Sequence, residues 1–173
     1  MIVGANMPWQ YIDTESGLIA PWYTLPCLEW LKKQDVSQWH VFEFGCGYST
    51  IWWKLNAHSV VFVENNENWA KAIGRLDRNA WFEETKESYI RICEVTKNML
   101  GWDCVVIDGA WRLECLEASY IHVKSGGYLI IDNWDGEDFP ETQEAEKLLE
   151  GWGKQLFKQP NHSKWITAVF RKP

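Results

Sequence analysis

Val41-Phe42-Glu43-Phe44-Gly45-Cys46-Gly47-Tyr48-Ser49-Thr50 carries an apolar strand straight into a Gly-x-Gly turn. Glycines placed this way let backbone come closer to another group than a side chain would allow. In an α/β chain the first strand-to-helix turn opens at the carboxyl edge of the sheet, and nucleoside-bearing ligands rest against it. The stretch therefore predicts a doubly wound sheet with a ligand site at residues 45–50.

A dinucleotide fingerprint, Gly-x-Gly-x-x-Gly, wants a third glycine where this chain has the β-branched Thr50. Downstream, Ser59-Val60-Val61-Phe62-Val63 ends in Glu64, which sits about twenty residues on, where a second strand presents an acid to ribose hydroxyls. An incomplete phosphate cradle beside a ribose acceptor suits a ribose-bearing ligand without a pyrophosphate. These residues resemble the class I S-adenosylmethionine-dependent methyltransferases, whose first motif reads acidic-x-Gly-x-Gly and whose second strand ends in an acid. Glu43, Gly45, Gly47 and Glu64 match it position for position. The resemblance implies S-adenosylmethionine as cofactor, held by Glu43, Gly45, Gly47, Ser49, Thr50, Glu64, Asn65 and Asp108.

The resemblance runs from Trp39 to the C-terminus. Trp102-Asp103-Cys104-Val105-Val106-Ile107-Asp108-Gly109 is similar to the fourth strand of that family with its terminal Asp, and Gly126-Gly127-Tyr128-Leu129-Ile130-Ile131-Asp132-Asn133 to the fifth. Lys164 to Arg171 alternates with period two, as a closing antiparallel strand does. The likeness implies a Rossmann-like three-layer α/β sandwich. Its mainly parallel seven-stranded sheet has the order 3-2-1-4-5-7-6, with an antiparallel last strand. Local signals fill in the rest: a helix after Thr24 carrying Leu25, Cys27, Leu28 and Leu31, with Lys32-Lys33 in its last turn, and helices over Ser49–Asn56, Asn68–Asn79 and Arg112–Val123. Tyr89–Val95 reads as strand three, and Asp138, Pro140 and Glu141 open a further helix that Gly151 closes.

At 173 residues the chain can bury about 70% of its unfolded surface in one core. It reads as a single domain, with residues 1–38 contributing to the substrate side and 39–173 forming the catalytic core. Met1 to Gln10 has no basic segment followed by an apolar one, and no apolar run reaches the roughly 18 residues of a membrane span. Five cysteines form no metal-type pair and leave one over, which predicts a reducing, cytoplasmic setting. A net charge of −7 with scattered Lys and Arg disfavours nucleic acid, which needs clustered cations. Of the 13 tryptophans, Trp39, Trp102 and Trp165 read as core or sheet-covering residues; Trp9, Trp22, Trp111 and Trp134 fall in segments that should reach the cofactor edge of the sheet, where burial is favoured over stacking on a ligand.

In a doubly wound sheet, strands one, four and five lie side by side, so residues leaving their carboxyl ends share one crevice. Asp108, Asp132 and Asn133 leave those ends and offer the hard oxygen donors that Mg²⁺ or Ca²⁺ prefers. The trio resembles the metal site of catechol and caffeoyl-coenzyme A O-methyltransferases, which implies a cation holding two vicinal oxygens of the acceptor and lowering the pKa of the attacking hydroxyl. Those enzymes carry a general-base lysine three residues after the first Asp; here Trp111 stands there, followed by Arg112. Arginine stays protonated, so Arg112 either grips an acidic group of the acceptor or pairs with Glu64 or Asp135. The catalytic set is then Asp108, Arg112 and Asp132. None of the four histidines has ligand spacing, and none is expected to act as base.

Each residue also has a structural reading: the glycines as a tight turn, Glu64 as a solvated strand end, Asp132-Asn133 as an Asx turn. Acceptor recognition is expected from Tyr11–Trp22 and from Trp134–Pro140, with Gly17 and Gly136 as hinges. The residue contacting adenine is unassigned, with Trp69, Glu94 and Thr96 as positional candidates. The leading expectation is methyl transfer to an oxygen of a small or carbohydrate-like acceptor. A metal-free transferase to nitrogen or to a protein side chain is the second reading. A binding protein without turnover is the third, and a nicotinamide oxidoreductase ranks behind all three.

Overall fold

The computed structural model describes residues 20–74, 80–97, 101–162 and 164–173. Among them seven strands form one sheet in the order β3-β2-β1-β4-β5-β7-β6. These strands are β1 (His40–Phe44), β2 (Ser59–Glu64), β3 (Ala80–Phe82), β4 (Trp102–Ile107), β5 (Val123–Ile131), β6 (Gly153–Lys158) and β7 (Ile166–Arg171). The first five run parallel, and β7 pairs antiparallel with both β5 and β6. Order and direction are those implied by the sequence.

The alternation of side chains along each strand builds a core on each face of the sheet. Phe42, Phe44, Val105, Ile107, Leu129 and Ile131 point to one face, where α4 (Lys86–Thr96), α5 (Arg112–Ser119) and α6 (Thr142–Leu148) cover them. Val41, Cys104, Val106 and Ile130 point to the other, under α1 (Leu25–Leu31) and α2 (Tyr48–Asn56), packed with Tyr23, Leu31 and Trp53. Each fully buried side chain of this kind contributes about 1.5–3 kcal/mol. On the second face Trp39 stacks on both Tyr128 and Trp53, at 5.2 and 6.4 Å between ring centroids. Much of the tryptophan content is therefore structural.

Several expected boundaries move. Tyr89–Val95 is not strand three but the body of α4: Thr85 caps it by accepting from the Ser88 amide at 3.3 Å, and Tyr89, Ile92 and Cys93 are buried at helical spacing. The β-branched Ile90, Ile92 and Val95 suggested a strand, but the apolar period is 3.6. The third strand is the three-residue β3. Glu94 and Thr96, placed late in α4, lie at the amino end of β4 and away from the cofactor edge. The helix α3 spans Glu67–Gly74, and its predicted continuation to Asn79 lies outside the described residues. After α5 a 3₁₀ turn at Tyr120–His122 leads directly into β5, which starts at Val123 rather than at the glycine pair. Thr24 does not cap α1 through its side chain: its hydroxyl donates to the Phe157 carbonyl at 3.1 Å and its amide to Thr167 Oγ1 at 3.0 Å, tying the entry of α1 to β6 and β7. Lys32 and Lys33 fall just past the last turn of α1. Among the described residues no helix is long and apolar enough to cross a membrane.

Candidate functional site

The glycine turn is held by bonds that leave little for a phosphate. Gly45, at φ +93°, donates its amide to the Val63 carbonyl at 2.8 Å. The Cys46 amide donates to Glu64 Oε2 at 2.8 Å, and the Gly47 amide to Thr50 Oγ1 at 3.0 Å. These three amides, the donors a pyrophosphate would use, are satisfied within the protein. A Cβ on Gly45 would stand 2.6 Å from the Asp108 carbonyl oxygen, so this glycine is required by the junction of β1 and β4. Gly47 differs: a Cβ there meets nothing within 4 Å.

Glu43 lies beneath this turn, fully buried, because strand alternation sends it to the α2 side of the sheet. Ser49 Oγ and Thr50 Oγ1 donate to its two carboxylate oxygens, each at 2.5 Å. Burial pushes its pKa up to about 7, against the opposing effect of the two hydroxyls. Thr50, where a dinucleotide site has glycine, is thus a buried bracket between Glu43 and the turn.

Glu64 closes the other side. Its Oε1 accepts from the Asn65 and Asn66 amides at 2.9 and 2.8 Å, while Oε2 holds Cys46. Between these elements opens a cleft of about 270 Å³ bordered by Trp22, Gly47, Ser49, Glu64, Trp69 and Asp108. Of the residues the resemblance assigned to the cofactor, Gly47, Ser49, Glu64 and Asp108 line this cleft, Glu43, Gly45 and Thr50 shape it from below, and Asn65 braces Glu64. Trp69 reaches the cleft from α3, whereas Glu94 and Thr96 do not. Tyr48 and Gly109 also line it; the sequence marked neither. Tyr48 is the residue inside the turn and packs against Trp22, 5.8 Å between ring centroids.

A second, larger cavity of about 610 Å³ lies beside the first, over the ends of β4, β5 and β7. Asp132, 3% exposed, forms its floor; Thr167 Oγ1 donates to Oδ1 at 2.6 Å and Trp165 Nε1 to Oδ2 at 3.4 Å. Trp165, expected as a core or sheet-covering residue, is a wall of this cavity. Asp108 has no side-chain hydrogen bond to another described residue. Burial raises the pKa of both carboxyls above the ordinary aspartate range; for Asp108 the neighbouring Asp132 charge adds to the effect, and Arg112 opposes it in both. Trp22 and Asp108 line both cavities. Trp22 Nε1 is buried without a hydrogen-bond partner among the described residues.

Two members of the expected metal trio, Asp132 and Asn133, are already engaged by protein donors. Asn133, at φ +55°, accepts on its Oδ1 a hydrogen bond from Arg112 Nη2 at 3.0 Å, so the amide oxygen that would ligate a cation is already engaged by a guanidinium. Both Asp132 oxygens already accept from protein donors, and among the described residues no group of three His, Cys, Asp or Glu is arranged to hold a metal. Arg112 joins neither Glu64 nor Asp135. Its Nη1 donates to the Asp138 carbonyl at 3.2 Å, so it fastens the 133–138 loop to the start of α5. Trp134 is 5% exposed and packs on Phe139 and Phe170, and Trp111, at φ +52°, packs on Tyr89. Neither borders the two cavities. Trp9 and the 11–19 part of the expected acceptor segment, with Gly17, lie outside the described residues.

No family model matches the chain, and no curated protein matches it in sequence. Solved structures do match in fold. A methyltransferase from Pyrococcus furiosus is 16% identical with a TM-score of 0.60, over 92% of this chain and 91% of that one. A ribosomal protein L11 methylase from Lactobacillus delbrueckii subsp. bulgaricus is 18% identical with a TM-score of 0.57, over 83% and 75%. The O-methyltransferase TomG from Streptomyces achromogenes, solved in complex with S-adenosylmethionine, is 15% identical with a TM-score of 0.56, over 80% and 76%. The fold of this chain is that of the class I S-adenosylmethionine-dependent methyltransferases.

Proposed function

We propose that the protein is an S-adenosylmethionine-dependent methyltransferase acting on a small-molecule acceptor. The observation that carries this reading is the pair of adjoining cavities sharing Trp22 and Asp108 as a common wall: a two-substrate transfer needs two sites that meet at the reacting atom. The smaller cleft fits the cofactor. Its turn amides are already bonded, so no phosphate is called for. Glu64 uses three of the roughly four acceptor positions of a carboxylate, which leaves one on Oε2 for a ribose hydroxyl. When bound, the cofactor supplies a methyl group already activated by a sulfonium. The protein's part is to exclude water, align the acceptor across the Trp22–Asp108 wall, and take a proton from it.

The expectation of an oxygen acceptor rested on a cation template. With Asn133 bonded to Arg112 and Asp132 to Thr167 and Trp165, nothing among the described residues of the site favours oxygen over nitrogen. Titration calorimetry with S-adenosylhomocysteine tests the proposal. Saturable binding to one site is expected, weakened at least tenfold by Gly47→Val, which projects a side chain into open space without meeting the fold. Absence of binding to the folded wild-type protein would overturn it.

A further inference from the structure

We infer that the larger cavity receives its acceptor as an organic ammonium ion, bound between Trp22, Trp165 and the Asp108–Asp132 pair. The inference rests on the proposed methyltransferase reading and names the acceptor class of the same site. The walls set the charge. Asp108, Asp132, Asp135, Glu137 and Asp138 face the cavity, and among the described residues its lining includes a single ammonium, Lys164, already tied to Glu137. Arg112 stands behind this wall, bonded to Asn133 and the Asp138 carbonyl. The five acids outnumber the cations near them, Lys164, which feels Glu137, Asp135 and Asp138, and Arg112, which acts on Asp108 and Asp132; a bound cofactor would add about one net positive charge on the cleft side of Asp108 and still leave negative charge in excess.

Desolvation disfavours the charged forms of Asp108 and Asp132, and the Arg112 guanidinium offsets this only in part. An ammonium adds positive charge where acids are in excess, whereas a hydroxyl group brings only a hydrogen bond. A phosphate or carboxylate would meet repulsion from the same groups. The aromatic walls agree: Trp22 and Trp165 line the cavity, indole rings attract a cation held over them, and the Trp22 Nε1, unpartnered among the described residues, adds a donor for a polar group beside it. The carboxyl pair also suits the proton that an ammonium must lose before its nitrogen can attack. One N–H proton passes to a carboxylate oxygen of Asp108 or Asp132, giving a neutral carboxylic acid and a free nitrogen lone pair.

Benzylamine, benzyl alcohol and benzoate, matched in size, are the probes, with binding read by ligand-observed NMR on the whole protein, alone and with S-adenosylhomocysteine. Benzylamine should bind at least tenfold more tightly than benzyl alcohol, with benzoate weakest. Asp108→Asn, at a residue without side-chain hydrogen bonds to the described residues, should reduce that preference at least fivefold while leaving benzyl alcohol within twofold. A preference under tenfold, or one unchanged in Asp108→Asn, would overturn the inference. Failure of S-adenosylhomocysteine to bind would instead count against the methyltransferase reading, so the two failures are distinguishable.

Discussion

Glu43→Gln isolates the least expected feature of the cofactor loop, a carboxyl buried beneath the turn and bonded to two hydroxyls. Its pKa rises from the ordinary 4.5 to about 7 in the folded protein. The folded state therefore holds a proton that the unfolded state has released across that interval, and stability falls as pH rises through it. The contribution is fully present below pH 4.5 and gone above pH 7. At roughly 1.4 kcal/mol per pH unit the change is about 3 kcal/mol. Glutamine has nearly the same shape and does not titrate, so urea denaturation of both proteins at a series of pH values gives a difference owed to this one group. The stability of Glu43→Gln relative to wild type should rise by about 3 kcal/mol between pH 4.5 and 7.5, chiefly from Glu43 itself, since its charge is a lesser cause of the Asp108 shift than burial and Asp132 are. Parallel curves for the two proteins would refute the reasoning, since they would mean that Glu43 is ionised and stabilised in the fold.

Gly45→Ala should cost roughly 2–5 kcal/mol in urea denaturation, because it combines a left-handed backbone with a Cβ pressed against the Asp108 carbonyl; a loss under about 1 kcal/mol would show that the β1–β4 junction can open. Thr167→Val keeps the shape of the side chain but leaves the Thr24 amide and Asp132 Oδ1 without their shared partner. It should destabilise the protein by about 1–3 kcal/mol and raise the pKa of Asp132, followed by NMR titration of the carboxyl carbons with Asp132→Asn assigning the resonance. An unchanged profile would separate Thr167 from the site.

The strands that frame the site were legible because each ends in a residue the fold needs at the carboxyl edge: Phe44 before Gly45, Val63 before Glu64, Ile107 before Asp108, Ile131 before Asp132. What escaped the sequence has physical reasons. The three residues of β3 are too few to show a period, and the β-branched residues of α4 masked its helical spacing. Gly45 looked like a residue cleared for a ligand, whereas it is cleared for the Asp108 backbone, a neighbour brought close only by the parallel pairing of β1 with β4. The metal reading loses its support at Asn133, whose left-handed backbone turns the amide oxygen toward Arg112, a contact between two loops that no local pattern announces. Trp165 reads as a core or sheet-covering residue flanking the closing strand; what the pattern does not show is that its indole N–H reaches across to Asp132.

A crystal structure of the protein with S-adenosylhomocysteine bound would decide the matter. The ribose should lie against Glu64, the chain should pass over Gly47, and the sulfur should face the larger cavity across Trp22 and Asp108. A ligand seated elsewhere, or a cleft closed by side chains between Gly47 and Glu64, would contradict the proposed role of these cavities.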